Sequence, residues 1–483
     1  MAVNIQSSNI VSKDVKFRNW GTSFALLLLC FCTPSLQAQT AQPTRLVVRD
    51  TLGLNGILNL CNLLNCSMSR GLGDPQGQLF VIQTPLSLSS VTNQLLGSGF
   101  PGVVDFETDQ VVQTQGATAG PAPSYLDDRT PYVYYGTAVW HGYVFQPANQ
   151  LVLTDQTHAT FNVAGSGVTV AVIDTGVDPN NTVLQNSLVA GYDFTRNQSG
   201  GSEMNDLGQS DIAPPDANAQ AAGVSQSAVA VLDQSAVAVL DGNPNYAAFG
   251  HGTMTSGIVH LVAPQASIMP LKAFQSDGTG YDSDILRAIY YAVGNGAKVI
   301  NMSFNYTSYS QELANAVNYA TNHGVICVAA AGNSGEQATV YPGALKNVID
   351  VASTSDDDTP STFSNYGAPP VWLAAPGEGV MTTYPFNTYA AGWGTSFSAP
   401  FVSGTSALLV SMYSAQANTN VSGSIEWTSF SFSSEATVNA PSSQPQAANA
   451  VSNAQPIPYP QMGYGRLDTY QATQAWQTNL GLY

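Results

Sequence analysis

The chain has 483 residues, 44% of them hydrophobic and only 9% charged, which is the composition of a globular protein with a large core rather than of a disordered tail. Its 13 Lys and Arg stand against 31 Asp and Glu, so the net charge is −18. This balance excludes nucleic acid and anionic membranes as partners, because phosphate binding requires concentrated positive charge.

The first 38 residues have the features of a secretory signal peptide. A basic stretch at residues 13–18 precedes the short apolar run Phe24–Cys32, and Ala38 offers a cleavage site. The run is too short to span a bilayer, which takes about 20 apolar residues. We therefore expect export from the cytoplasm, to the periplasm or the medium, with an uncut N-terminal anchor as the alternative.

Residues 39–125 read as a small α+β unit. Apolar alternation predicts strands, leucine spacing predicts helices, and the last segment fits a strand or a hairpin. The predicted segments, in chain order, are Arg45–Arg49, Asn55–Leu64, Gln78–Gln83, Leu88–Leu96 and Val103–Gln113. A Thr/Gly/Ala/Pro-rich linker follows at residues 114–124. Cys61 and Cys66 are close enough to pair in an oxidising compartment.

The larger part, residues 126–483, alternates apolar strands with helices, the pattern of a parallel sheet covered on both faces. The predicted strands are Val168–Ile173, Ser267–Ala273, Val299–Ser303, Val325–Ala331 and Val348–Ala352. The predicted helices are Thr253–Leu261, Asp282–Ala292, Gln311–Asn322 and Ser396–Met412. Residues 200–245 and 414–460 interrupt this pattern as insertions. The first carries a tandem repeat, Gln226–Asp233 and Gln234–Asp241, whose spacing fits either a hairpin or a helix.

Three short motifs supply a carboxylate, an imidazole and a hydroxyl. Asp174 ends a predicted strand, His251 lies between two glycines at a helix start, and Ser396 opens a helix after Gly394. Each residue taken alone also fits a structural role, such as a helix cap. Together they are the groups that make a serine nucleophilic.

An amide side chain completes the candidate site. Asn333 follows the predicted strand Val325–Ala331, where it would lie beside residues from other strand ends. Its side chain and the backbone N–H of Ser396 are suited to stabilise an oxyanion.

These motifs, in this order, resemble the subtilisin-like serine proteases, over roughly residues 164–475. The match includes Ala330-Ala331-Gly332-Asn333 and Ala375-Pro376-Gly377. The resemblance implies an α/β fold with a doubly wound, mainly parallel sheet flanked by helices. It also implies that residues 39–125 are an inhibitory propeptide with a ferredoxin-like α+β fold, and that residues 126–483 are the peptidase domain.

The resemblance also implies the roles of the site residues. Asp174 would orient His251, His251 would act as general base and then acid, Ser396 would be the nucleophile, and Asn333 would stabilise the oxyanion. Two backbone segments and a pocket would bind the substrate; the matching residues are Gly278, Thr279, Gly280, Ser303, Phe304, Asn305, Ala330, Ala331 and Gly332.

The implied protein is a secreted, self-processed endopeptidase that acts on proteins or peptides. We expect a monomer, no membrane contact after processing, no cofactor in the chemistry, and a propeptide cut between Gln113 and Tyr135. Structural calcium is common in relatives, and Asp193 is a weak candidate ligand. Two alternatives stay open: a peptide ligase or cyclase on the same fold, and a binding protein with an inactive site, for which a broken triad would be expected.

Overall fold

The structure is a computed structural model, and it describes residues 43–113, 120–208, 229–231, 244–367, 371–417, 462–463 and 465–479. The predicted signal peptide, most of the repeat-bearing insertion and nearly all of the second insertion lie outside the described residues. Among the helices that are described, none combines the length and hydropathy needed to cross a membrane.

The N-terminal unit is a four-stranded antiparallel sheet with two helices. Its elements are β1 (Thr44–Asp50), α1 (Leu54–Leu64), β2 (Ser67–Gly71), β3 (Leu79–Thr84), α2 (Leu88–Ser98) and β4 (Val103–Thr108). The strand order is β2-β3-β1-β4. Alternate residues of the central strands face the helices; Leu46 and Val48 lie in one core with Ile57 and Leu60. Both helices, β1 and β3 lie where the sequence predicts them.

Two features of this unit concern its less regular parts. The edge strand β2 was not predicted, because its largely exposed sequence Ser-Met-Ser-Arg-Gly has no apolar face to reveal it. Cys61 and Cys66 form a disulfide with their Cα atoms 4.4 Å apart. Cys327, which lies outside this unit, is free and buried.

The remaining described elements follow β4 along the chain, and all of them except β5 build the larger part of the molecule. The strands are β5 (Val111–Gln113), β6 (Pro131–Tyr134), β7 (Thr137–Trp140), β8 (Thr169–Asp174), β9 (Tyr192–Asp193), β10 (Gln198–Ser199), β11 (Val229–Val231), β12 (Ser267–Lys272), β13 (Thr279–Tyr281), β14 (Val299–Met302), β15 (Ile326–Ala330), β16 (Val348–Thr354), β17 (Leu373–Pro376), β18 (Val380–Tyr384) and β19 (Thr388–Gly392). The helices are α3 (His141–Val144), α4 (Pro147–Leu151), α5 (Thr154–Phe161), α6 (His251–Val262), α7 (Asp282–Gly294), α8 (Gln311–Asn322), α9 (Thr395–Ala417) and α10 (Thr469–Asn479).

The central sheet has eight strands in the order β10-β9-β12-β8-β14-β15-β16-β17, and all its pairs are parallel except β9–β10. Its two faces are buried in separate cores. Along β8, Val170 and Val172 belong to the core that contains α6 and α9, whereas Ala171 and Ile173 belong to the core that contains α7 and α8. This arrangement confirms the predicted doubly wound sheet.

The sequence prediction for residues 103–113 needs a correction. The chain leaves the N-terminal sheet after Thr108, and β5 pairs antiparallel with β13 instead of folding back on β4. Neither a single strand nor a hairpin describes this segment, because the partner of β5 is distant in sequence and gives no local signal. In the first copy of the repeat, Val229–Val231 forms β11 and pairs with β19.

Topology brings the candidate residues to one edge of the sheet. The parallel strands β8, β14 and β15 end at Asp174, Met302 and Ala330, so their carboxyl ends lie side by side. The helices α6 and α9 begin at His251 and Thr395 and pack together in the core on one face. This edge is therefore where the site forms.

Candidate active site

Asp174 and His251 meet across the end of β8 and the start of α6. The Nδ1 atom of His251 lies 2.7 Å from Oδ1 of Asp174, and both residues are buried. The backbone N–H of Thr175 and the hydroxyl of Thr255 also donate to this carboxylate, at 2.7 and 3.1 Å. Because an ionised carboxylate only accepts, Nδ1 of His251 carries the proton and Nε2 is left free to act as a base.

Glycine at two positions permits this approach. A Cβ on Gly252 would overlap the carbonyl oxygen of Gly176, so the turn after β8 and the first turn of α6 touch through bare backbone. Gly176 itself has a φ of 100°, which a side chain would disfavour. The glycines in both motifs are therefore required by packing.

The environment of His251 favours its charged form. Burial lowers the pKa of His251, but the charge and hydrogen bond of Asp174 and the charge of Glu203 raise it further than burial lowers it. The net pKa lies above the ordinary value of an imidazole. A proton accepted at Nε2 would therefore be held beside a carboxylate that stabilises it.

Ser396 lies in the first turn of α9, at the positive end of the helix dipole. Its hydroxyl donates to the carbonyl of Ser303 at 3.0 Å, and the Ser303 hydroxyl donates back to the Ser396 carbonyl at 2.8 Å. The ring of the next residue, Phe397, is centred 5.5 Å from the ring of His251. These contacts place Ser396 at the end of β14 and the ring of the following residue close to His251.

Asn333 is held in a defined orientation. Its Oδ1 accepts hydrogen bonds from the backbone N–H and the hydroxyl of Thr395, both at 2.9 Å. A backbone N–H can only donate, so the atom facing Thr395 is the oxygen and the amide nitrogen is directed elsewhere. The Thr395 hydroxyl in turn accepts from the N–H of Gly332 at 3.1 Å. Thr395, which directly precedes Ser396 in the chain, thus fixes the orientation of the Asn333 amide.

A buried carboxylate that the sequence did not reveal connects the end of β8, which carries Asp174, with the start of α6, which carries His251. Glu203 is fully buried and accepts hydrogen bonds from the Thr175 hydroxyl at 3.1 Å, the Gly250 N–H at 2.8 Å and the Thr253 hydroxyl. Burial raises the pKa of Glu203 to about 8, against these three donors and the charge of Lys272, which lower it. The residue lies at the start of the stretch 200–245, which the sequence marked as an insertion.

The predicted substrate-binding segments lie on both sides of this edge. Thr279 and Gly280 form part of β13, next to Gly278, and this strand pairs with β5 of the N-terminal unit. Ser303, Phe304 and Asn305 follow β14 directly and are buried. They lie outside the sheet of β5 and β13, which has two strands. The role of both segments in substrate binding stays a prediction; what the structure shows is that β5 of the chain itself pairs with β13.

The segment predicted to line the pocket lies at the end of β15. Ala330 is its last residue, and Ala331 and Gly332 follow as the chain turns toward Asn333. All three are buried.

The contacts of Asp193 do not favour the role of calcium ligand that was suggested for it. Its carboxylate accepts from the Thr195 hydroxyl at 2.7 Å and from the backbone N–H of Arg196 at 3.0 Å, and it pairs with the Arg196 guanidinium at 3.2 Å. A cationic side chain thus already occupies it. Within the described residues, no cluster of three or more His, Cys, Asp or Glu is arranged to hold a metal ion.

Comparison with known proteins identifies the family of the chain. The sequence profile of the subtilase family matches residues 165–465, more than half of the chain. The chain belongs to the subtilase family. It is a hydrolase of the serine-endopeptidase type, as its relatives are.

Two of those relatives show the extent of the sequence similarity. Over 272 residues the chain is 36% identical to thermitase from Thermoactinomyces vulgaris, which covers 54% of this chain and 81% of thermitase. Over 293 residues it is 35% identical to a thermophilic serine proteinase from Bacillus sp. (strain AK1), covering 60% of this chain and 62% of that protein.

A solved structure shares the fold. Fervidolysin from Fervidobacterium pennivorans, described as a keratinolytic enzyme related to subtilisin, aligns with a TM-score of 0.64. The alignment covers 91% of this chain and 62% of fervidolysin at 20% sequence identity. This likeness confirms the subtilisin-like fold.

Proposed function

We propose that this subtilase is a secreted endopeptidase that hydrolyses peptide bonds through Asp174, His251 and Ser396, and that it processes its own precursor. The observation that carries the proposal is the buried contact of 2.7 Å between His251 Nδ1 and Asp174 Oδ1, beside the helix start that holds Ser396. All the groups that the reaction needs belong to this chain, so the chemistry requires no cofactor.

In the acylation step, the Ser396 hydroxyl turns from the Ser303 carbonyl toward His251 and attacks the scissile carbonyl carbon. Nε2 of His251 takes the hydroxyl proton, and Asp174 stabilises the imidazolium. As the C–N bond breaks, the imidazolium returns the proton to the leaving amine. The new C–O bond leaves the acyl group on Ser396.

Two donors are suited to the oxyanion of this step. The amide nitrogen of Asn333 is directed away from Thr395, because Thr395 binds the amide oxygen. The backbone N–H of Ser396 is the second donor, in the first turn of α9, where N–H groups have no partner within the helix. Loss of one such donor typically slows turnover about 10²–10³-fold.

A water molecule then attacks the acyl carbon, His251 again accepts and returns the proton, and Ser396 is released.

The N-terminal unit is proposed to inhibit the enzyme by binding like a product. Its segment β5 adds to β13 as an antiparallel strand, with Gln113 opposite Thr279 and Val112 opposite Gly280. Strand addition is a common way to bind an extended peptide. The chain continues from Gln113 toward the region where we expect the cut.

Charged contacts hold this unit in place. Asp109 accepts from the N–H and hydroxyl of Ser283 at the start of α7, at 2.9 and 3.0 Å. Glu107 accepts from the hydroxyl of Ser310 at 2.6 Å and the N–H of Gln311 at 3.1 Å at the start of α8. A helix N-terminus favours negative charge, which suits the Asp109 carboxylate at α7. Arg49 adds a two-bond pair with Glu312 at 2.8 and 2.5 Å.

Export is proposed from the signal-like sequence at residues 1–38, and the Cys61–Cys66 disulfide is consistent with an oxidising compartment. We propose that the mature enzyme acts as a monomer on extended protein or peptide segments. No feature of the described site favours transfer of the acyl group to an amine over transfer to water.

The test compares the wild-type chain with Ser396→Ala. Each is expressed in full length, analysed by mass spectrometry and assayed with casein. We expect wild type to lose its N-terminal unit and to digest casein, and the variant to stay uncut and inactive. Equal behaviour of the two chains, with neither cutting casein, would favour a binding protein over a protease.

A further inference from the structure

Glu203 stands apart from the groups used above, because it touches neither the nucleophile nor the base. It begins the short 3-10 helix Glu203–Asp206 and is fully buried, yet each of its carboxylate oxygens is hydrogen-bonded. The partners come from two different elements. Thr175 directly follows Asp174, and Gly250 and Thr253 flank His251.

The hydrogen bonds of this network fix the direction in which the hydroxyls of Thr175 and Thr253 donate. The Thr175 hydroxyl accepts from the N–H of Gly252 at 2.9 Å and donates to Glu203. The Thr253 hydroxyl accepts from the N–H of Asp178 at 2.8 Å and donates to Glu203. Each hydroxyl has one proton to give, so Glu203, once ionised above its pKa of about 8, is the acceptor that completes both chains of hydrogen bonds.

A second set of contacts fixes Thr175, at the end of β8. Lys272, which is fully buried, donates to the carbonyl of Thr175 at 2.8 Å and pairs with Asp206 at 2.7 Å. The charged groups around Glu203 are therefore Lys272, with Asp206 behind it, and the His251–Asp174 pair. Thr175 is fixed through both its side chain and its backbone.

We propose that Glu203 is a positioning residue that joins the strand end carrying Asp174 to the helix start carrying His251. The inference rests on the proposed function of this site. The reacting geometry depends on two residues that belong to separate elements and meet at one hydrogen bond. A shift of about 1 Å in such a site can cost 10²-fold in rate. A single carboxylate that binds the immediate neighbours of both residues limits that shift.

The substitution Glu203→Gln keeps the shape of the side chain but replaces one acceptor oxygen with a donor. Since three donors face the carboxylate, at least one is left without its acceptor. We expect kcat for a peptide substrate to fall about tenfold or more, while KM changes less than about threefold, because the substrate-binding segments are not part of the bridge.

Matched variants separate positioning from stability. Thr175→Val removes one hydroxyl of the bridge at constant shape, whereas Thr175→Ser retains it, so the valine variant should lose activity and the serine variant should keep it. Asp468→Ala is the control: Asp468 is buried and accepts from the N–H of Gln471 at 2.8 Å, but it touches neither motif. It should lower the melting temperature without changing kcat.

Kinetics are measured above pH 8, where Glu203 is ionised, on variants matured by a tagged wild-type chain that is then removed. A second measurement uses full-length chains that carry Ser396→Ala, in which the Nδ1 proton of His251 is followed by proton NMR. Its far-downfield resonance reports the bond to Asp174. Glu203→Gln should move or broaden this resonance, and Asp468→Ala should leave it in place.

Three results would count against the inference. If Glu203→Gln keeps wild-type kcat and an unchanged resonance while its melting temperature falls as in Asp468→Ala, Glu203 is structural only. If the loss lies entirely in KM, the residue serves binding. If wild type itself fails to hydrolyse the peptide, the proposed function falls, and the inference with it.

Discussion

Val112 provides a sharp test of how the N-terminal unit binds, through β5, to the strand β13. Its side chain is 1% exposed and lies in the same core as Phe274 and Phe304, whereas the neighbouring Val111 is 64% exposed. The contrast arises because successive side chains of a strand point to opposite faces. The substitution Val112→Ala removes two buried carbon groups at about 0.8 kcal/mol each, or about 1.6 kcal/mol in all. That corresponds to binding that is about 15-fold weaker.

The assay follows full-length precursor as it matures. A gel gives the rate of the cut, and hydrolysis of a peptide substrate gives the later release of inhibition. Differences in affinity among related complexes lie mostly in dissociation rates, so Val112→Ala should shorten the delay between cut and full activity about 15-fold. Val111→Ala is the control and should change the delay less than about twofold. Equal effects of the two variants, or none, would refute the binding mode described for β5.

Three further predictions concern orientation and charge. Thr395→Val removes one of two hydrogen bonds to Asn333, so kcat should fall about tenfold at unchanged KM, less than the loss of the amide itself; Thr395→Ser should stay near wild type. Since the pKa of His251 is raised, activity should decline as pH falls through a value above 6.5, which a profile of kcat/KM against pH measures. Burial raises the pKa of Glu107 to about 7 from 4.5, so the assembled precursor binds more protons than the separated parts. The N-terminal unit should therefore be held most firmly below about pH 4.5 and released faster as pH rises through about 7, and Glu107→Gln should flatten this dependence.

Local patterns were sufficient for the main features of the fold and for the predicted triad. Asp174 ends an apolar strand, and His251 and Ser396 open helices next to glycines, so each motif could be placed on its element from neighbouring residues alone. The helix Gln311–Asn322 has the predicted bounds for the same reason: Ser310 caps it and its apolar residues repeat at helical spacing.

The missed features depend on contacts between distant segments. Glu203 lies in a polar stretch, and its partners are 28 to 50 residues away, so nothing near it marks the residue as part of the site. The same holds for β5, whose three residues form a strand only because β13 offers an edge. The orientation of Asn333 likewise depends on Thr395, 62 residues further along the chain.

The central claim is that Ser396 is a nucleophile activated by His251, and covalent labelling tests it most directly. The mature enzyme is treated with a fluorophosphonate, which reacts with activated serine hydroxyls, and the adduct is located by tandem mass spectrometry. We predict one adduct, on Ser396, and its loss in His251→Ala. An adduct on another residue, no adduct on wild type, or equal labelling of the histidine variant would contradict this account.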